Sequence, residues 1–298
     1  MKTEEKIKKT EPKKELADDK RTIENLQKKL KEKETELSEL YKLLERLNSY
    51  VNTLINDTEK GISNVMSLHR KLATKKIPKI GNMSFASRYV MSRSDLNSYF
   101  DFFALPKSEG VGLVLCEAKG YGASSALMTM VMGLIETPYA RSPQSFVKTL
   151  IEDMKTHLGK EEKISIFYAV IEKSGLNMRY CSLGVPGIFL VRGKDRKLLQ
   201  ADGIDSKIWE EKKHKLKPGD RIILVNNGVI NSQNNRGQSF EAQGVEKGLS
   251  NAEHVAIADI ISNIGFELDV FTGSDRANLN GDLAMLGVEL ERKMLYVV

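Results

Sequence analysis

Cysteine is nearly absent: Cys116 and Cys181 are the only two in 298 residues. Both lie in strand-like apolar runs, so they read as buried free thiols of a reducing compartment and not as a disulfide. The four histidines, His69, His157, His214 and His254, are scattered singly, and no Cys/His spacing suits zinc. No stretch approaches the roughly 20 uncharged apolar residues that span a bilayer, so no membrane span is expected. The opening MKTEEK lacks the apolar segment of a secretory signal, and a cytoplasmic location follows as an expectation. A dominant charge is missing too. Lys and Arg number 46 against 40 Asp and Glu, the signs are interspersed, and the net charge is +6. A nucleic-acid surface needs one strongly basic face, so nucleic acid is not an expected partner. Aromatic side chains are scarce at the N-terminal end, where the first 75 residues hold only Tyr41 and Tyr50 beside 18 Lys/Arg and 14 Asp/Glu.

What is present divides the chain in three. Residues 1–21 are charged, nearly free of large apolar groups and interrupted by Pro12. Such a segment buries too little surface to offset its ordering entropy, so a disordered tail is expected. From Ile23, alternate steps of three and four residues meet Leu26, Leu30, Lys33, Leu37, Leu40, Leu44, Leu47, Val51, Leu54, Thr58, Gly61, Val65, Leu68 and Leu72. Twelve of these fifteen positions are apolar, which sustains a 3.5-residue period over about seven heptads. That pattern predicts a long coiled-coil helix over 22–76, with Leu30, Leu37, Leu40, Leu44, Leu47, Val51 and Leu54 as a dimer seam. A parallel homodimer is the expected assembly; intramolecular packing or a larger bundle are the alternatives. Lys33 weakens the seam, while Thr58 and Gly61 loosen it further along. Tyr41, Leu43, Tyr50, Ile55 and Ile62 widen the apolar face beyond a two-stranded coil.

Pro78 and Gly81 end the helix pattern. Residues 77–298 then read as one α/β domain. Strand-like runs occupy Ser84–Val90, Val111–Cys116, Ile164–Glu172, Met178–Ser182, Ile188–Val191, Arg221–Val225 and Leu283–Leu290. Helix-like runs occupy Ala123–Ile135, Ser142–His157 and Asn251–Ile264. Strands arrive in neighbouring pairs around turns such as Lys173-Ser174-Gly175 and Arg192-Gly193-Lys194, which points to antiparallel sheets with helices on top.

Four segments carry a resemblance. Residues 111–128 read VGLVLCEAKGYGASSALM, similar to the apolar strand, D-x-x-G-x-G turn and Ala-rich helix of the metal-dependent (PPM) serine/threonine phosphatases. The SpoIIE/RsbU branch is the nearest. Residues 94–103, SDLNSYFDFF, stand where that branch has G-G-D-x-x-D and aromatics. Residues 216–229, LKPGDRIILVNNGV, resemble its L-x-P-G-D, strand, T-D-G-V segment, and NGDLAML at 280–286 lies where it has D-D-[IL]-T. The resemblance implies an α+β fold, an αββα sandwich of two antiparallel sheets flanked by helices and preceded by the long N-terminal coiled-coil helix. It also implies phosphoserine or phosphothreonine hydrolysis by two Mg²⁺ or Mn²⁺ ions that activate a water, held by a ring of aspartates.

That ring is altered. The G-G-D aspartate falls on Ser98, the bridging aspartate on Glu117, the T-D-G aspartate on Asn227 with its threonine on Asn226, and the first aspartate of D-D on Gly281. Asp101 and Asp282 stand at the second acids of their motifs, and the family's A-G-H turn is changed to Leu183-Gly184-Val185-Pro186. The expectation is a catalytically silent, bacterial, phosphatase-like signal-transduction protein with no cofactor and no catalytic residue. Its partner by resemblance is a STAS-like protein of a partner-switching circuit. Two other readings are a weak Mn²⁺- or Mg²⁺-dependent phosphatase built on Glu117, Asp282 and Asp101, and a purely structural head whose coil is the functional element. Outside these loops, Gly120 reads as a turn glycine, Asn227-Gly228 as a tight turn, the methionines at 128, 130 and 132 as core, and Lys212, Lys213, Lys215 and Lys217 as solvated surface.

Overall fold

The computed structural model describes residues 11–73, 80, 82–91, 98–105, 110–155, 163–172, 176–203, 210–250, 252–253, 255–273 and 281–291. The chain divides into two units, Met1–Ser63 and Asn64–Val298.

The first unit is built on helix α1, which runs Glu11–Ala73 and crosses the division. It starts earlier than the sequence pattern predicts, so residues 11–21, expected as part of a disordered tail, are helical. Lys, Glu, Leu and Ala have high helix propensity whether or not they bury a face, and Pro12 stands in the first turn, where its missing N–H costs no hydrogen bond. The seven seam residues from Leu30 to Leu54 are 42–62% exposed, an apolar stripe uncovered within its own unit.

The second unit contains two five-stranded antiparallel sheets. The first has the order β1 (Met83–Val90), β10 (Leu283–Leu290), β9 (Arg221–Val225), β6 (Gly187–Arg192), β7 (Asp195–Leu198). The second has the order β2 (Ser98–Ala104), β3 (Gly110–Ala118), β4 (Ile164–Glu172), β5 (Asn177–Leu183), β8 (Lys212–Lys215). Every pairing between these strands is antiparallel. Helices α2 (Tyr121–Ile135) and α3 (Pro143–Met154) lie on the second sheet; α5 (Glu241–Gly248) and α6 (Ile257–Thr272) lie on the first, with the short α4 (Asn227–Ile230) at its end.

Alternation along the strands builds three apolar layers. Along β3, Leu113 and Leu115 enter the layer between the sheets, while Val114, Cys116 and Ala118 enter the layer under α2 and α3. A third layer joins β9 and β10 to α5 and α6 through Ile223, Val225, Met285, Ile260 and Ile264. This is the expected αββα sandwich. Both thiols are buried and free; burial pushes Cys181 up to about 12 and Cys116 higher still.

Several elements differ from the sequence reading. The charged edge strands β7 and β8 carry no apolar alternation, because an edge strand needs only one paired neighbour. Lys213 and Lys215 face water, as expected of that lysine cluster, while Lys212 pairs with Asp202 at 2.7 Å. Helix α6 extends to Thr272, past the expected end at Ile264, because Leu268 continues its buried face and Gly273 stops it in a left-handed conformation (φ 70°). The turn Lys173-Ser174-Gly175 lies outside the described residues, whereas Gly193-Lys194 forms the two-residue β6–β7 turn with Gly193 at φ 57°. Among the described residues, no helix is long and apolar enough to cross a membrane.

Candidate functional site

The positions that the resemblance marks as metal-site positions converge where the two sheets meet at one end. In the second sheet, Ser98 on β2, Glu117 on β3 and Ser165 on β4 are register partners in one row. Directly opposed residues point to the same face, here the one toward the first sheet. Asn226 and Asn227 reach this row from the β9–α4 junction, and Gly281 and Asp282 from the start of β10. All are buried except Asn227, which is partly so.

Asn226 binds the pieces together. Its Nδ2 donates to Ser98 Oγ at 2.9 Å and to the Asp282 carbonyl at 2.7 Å. Its Oδ1 accepts from Val229 N and from Ala284 N, both at 3.1 Å. The first of these contacts caps α4, and together the four fill the capacity of a carboxamide. Asn227-Gly228 is therefore the first turn of a short helix and not an isolated turn. Gly228 is required there, since a Cβ would lie 2.0 Å from the Asp282 carbonyl oxygen.

Asn227 turns its amide toward the carboxylate. Nδ2 donates to Glu117 Oε2 at 2.6 Å, and also lies 3.2 Å from Ser165 Oγ and 3.1 Å from the Gly184 carbonyl. Its backbone N–H donates to the same Oε2 at 3.2 Å. Burial holds the Glu117 carboxyl above the usual carboxylate range, and hydrogen bonds from Asn227, Asn226 and Ser98 oppose that rise. Asp282 is engaged separately: its Oδ2 accepts from the Tyr89 hydroxyl at 2.5 Å and from Ser98 N at 3.3 Å. Burial and the neighbouring Asp282 carboxylate both raise the Tyr89 phenol.

Asp101 is not brought into this group. It lies three residues after Ser98 on β2, an odd step, so its side chain projects from the opposite face of the sheet. There Oδ1 accepts from Phe102 N at 2.9 Å and Oδ2 from the Tyr99 hydroxyl at 3.2 Å. Residues 94–97 and Asn280 lie outside the described residues. Gly120 is the N-cap of α2 at φ 86°, the turn role expected of it. The L-K-P-G-D segment is structural: the buried Asp220 carboxylate accepts from Arg192 Nε at 2.8 Å, from its guanidinium terminus at 2.6 Å and from Lys217 N at 2.8 Å. Sequence reasoning missed Tyr89 and Ser165 and gave Asn226 no role. Only the register, with Ser165 opposite Glu117 and Tyr89 opposite Ala284, brings Ser165 and Tyr89 here.

The Stage II sporulation protein E (SpoIIE) family matches residues 107–291, well over half of the chain. The chain belongs to the SpoIIE family. No curated protein matches it. The chain is similar to the SiaA-PP2C domain of Pseudomonas aeruginosa (TM-score 0.65, 11% identity, 79% of this chain and 99% of that one). It is also similar to the SpoIIE phosphatase domain of Bacillus subtilis (0.54, 13%, 72% and 95%). A third likeness is to the RsbU and RsbW domains of a Mycobacterium tuberculosis protein (0.58, 19%, 72% of this chain and 62% of that one). At these identities the likenesses establish the fold.

A SpoIIE-type phosphatase fold implies a divalent-metal pair, and the donor set here does not fit one. Hard dications need several anionic oxygens. The row presents two carboxylates, Glu117 and Asp282, and each already accepts short hydrogen bonds. Among the described residues no three His, Cys, Asp or Glu side chains gather as a cation ligand set. An amide N–H donor points at Glu117 from the position where the resemblance puts an aspartate.

Proposed function

We propose that this SpoIIE-family chain is a catalytically silent regulatory protein whose phosphatase-like head binds a signalling partner and whose coil pairs two copies. One observation carries the reading: the Asn227 carboxamide donates to Glu117 at 2.6 Å. A cation at that carboxylate would have to displace an N–H donor and would gain no charge from its replacement. The row is thus a closed hydrogen-bonded junction that holds the sheets in register, and no cofactor is expected in it. The exposed seam from Leu30 to Leu54 supports the pairing, since about half of each side chain stays in water in a lone helix. The resemblance supports a STAS-like protein of a partner-switching circuit as the partner, and the cysteine usage supports a cytoplasmic setting.

The second reading is a weak Mn²⁺-dependent phosphatase. It is favoured by the arrival of Glu117 and Asp282 at one sheet end; Asp101, on the other face, gives it no support. Calorimetric titration with Mn²⁺, with p-nitrophenyl phosphate hydrolysis followed in the same samples, separates the two. The expected result is no binding below millimolar and no metal-dependent turnover. Tight binding of two ions, with turnover abolished in Glu117→Ala, would establish the enzyme instead.

A further inference from the structure

The positions flanking the seam of α1 change character part-way along the helix. Leu30, Leu37, Leu44 and Val51 hold the first core position of successive heptads, and Leu40, Leu47 and Leu54 hold the second. The flanks are the residues just before the first core position and just after the second. Upstream they are Thr22, Gln27, Lys29, Glu34 and Glu36, none of them apolar. Over 41–55 they are Tyr41, Leu43, Asn48, Tyr50 and Ile55, and four of these five are apolar or aromatic. The outer positions from Ser38 to Asn56 carry no apolar residue at all. The apolar stripe therefore widens from two positions in seven to four.

A two-stranded coil covers the two core positions and leaves the flanks at its rim. In the lone helix Tyr41, Leu43 and Tyr50 are each 62% exposed, and Ile55 is 49% exposed. A pair of helices would leave both flanks of this segment facing water on both sides of the seam. Four helices around one core bury all four positions of each. The charge pattern sets the upstream limit of that arrangement. Lys33 occupies a core position and pairs with Glu36 on its own helix at 2.5 Å. Lys29 and Glu34, five residues apart on flanking positions, attract across a parallel pair. These features suit a two-stranded rod with a wet rim, not a wide dry core.

We propose that two coil pairs join over residues 40–55 into a four-helix segment, so that the protein assembles as a dimer of dimers. The occupant of the widened face is a second pair of the same helix. The proposal rests on the reading that α1 pairs through its seam, and the same experiment tells the two apart. Sedimentation equilibrium of the full chain over a wide micromolar range should give a mass of four chains. Leu43→Gln with Tyr50→Gln should reduce it to two, with the helical circular-dichroism signal retained. If that variant loses the signal, Tyr41→Gln with Ile55→Gln on the other flank supplies the same reading. A two-chain mass at every concentration overturns the four-helix segment and leaves the pairing intact. A four-chain mass that survives both flank variants also overturns it. A one-chain mass overturns the pairing as well.

Discussion

Asn227 and Glu117 form a donor–acceptor pair that works only with an amide on one side. In Asn227→Asp a buried carboxylate would meet a second carboxylate at hydrogen-bond distance. The expected cost is about 3 kcal/mol at neutral pH, read from urea denaturation, with partial recovery on acidification as one carboxyl takes a proton. The same variant restores an anionic oxygen, so millimolar Mn²⁺ should raise its Tm while leaving the parent unchanged. Glu117 also sets a pH dependence. Its folded carboxyl binds a proton more readily than the unfolded one, so stability falls as pH rises from the unfolded value through the folded one. Glu117→Gln should flatten that part of the stability–pH curve while keeping an oxygen for Asn227 to donate to. A parent curve already flat there would show that the hydrogen bonds cancel the burial. Asn226→Ala would strand Val229 N and Ala284 N, and a loss of about 2–4 kcal/mol is expected in the same denaturation assay.

At the scale of elements, two junctions hold the first sheet. The turn before β9 closes on Asp220, 1% exposed and clamped by Arg192 from β6. Asp220→Ala should cost about 1–3 kcal/mol without altering any property of the Glu117 row, because the Lys217 N–H loses its acceptor and the turn its anchor, while the part-exposed guanidinium can turn to water. On the outer side, α6 approaches β1 at Gly265, where a Cβ would lie 2.1 Å from an Arg88 nitrogen. The Arg88 guanidinium threads past this glycine to reach Asp269 at 2.7 Å. Gly265→Ala should swing the guanidinium aside and break the pair with Tm nearly unchanged, because a flexible side chain gives way cheaply and the about 0–1 kcal/mol lost with a part-exposed pair is offset by the helix propensity of alanine. The motif glycines answer to two different demands: Gly228 marks a close approach of backbone, whereas Gly120 has open space at its Cβ and is suited by its φ of 86°.

Across the whole molecule, α1 and the sandwich answer to different forces. The sandwich buries its apolar residues in three layers of its own, whereas the stripe on α1 has no cover inside its unit. Placing charge in the seam should therefore change assembly and leave the head folded. Leu37→Lys with Leu44→Lys is expected to give a one-chain mass by light scattering. The near-ultraviolet circular dichroism of the head's aromatic residues should stay as in the parent. Loss of that signal would mean that the head depends on assembly for its fold.

How much of this was legible in one dimension follows from what each feature depends on. The long helix and the seven apolar strands depend on local pattern, and they could be read residue by residue. The helix start at Glu11 escaped because propensity, which acts without a buried face, outweighed the missing apolar groups. Strands β7 and β8 escaped because an edge strand can be charged throughout. The fate of Asp101 depended on strand parity: three residues after Ser98 is an odd step, and the pleat sent it to the opposite face. Tyr89 and Ser165 carry no motif, and only the pairing of β1 with β10 and of β3 with β4 brought them beside Glu117 and Asp282. Sequence told which residues carry charge, because charge belongs to the residue. Where the remaining carboxylates found hydrogen bonds was decided in three dimensions, because a hydrogen bond needs a partner at about 3 Å, and contacts between residues distant along the chain exist only once the sheets have closed.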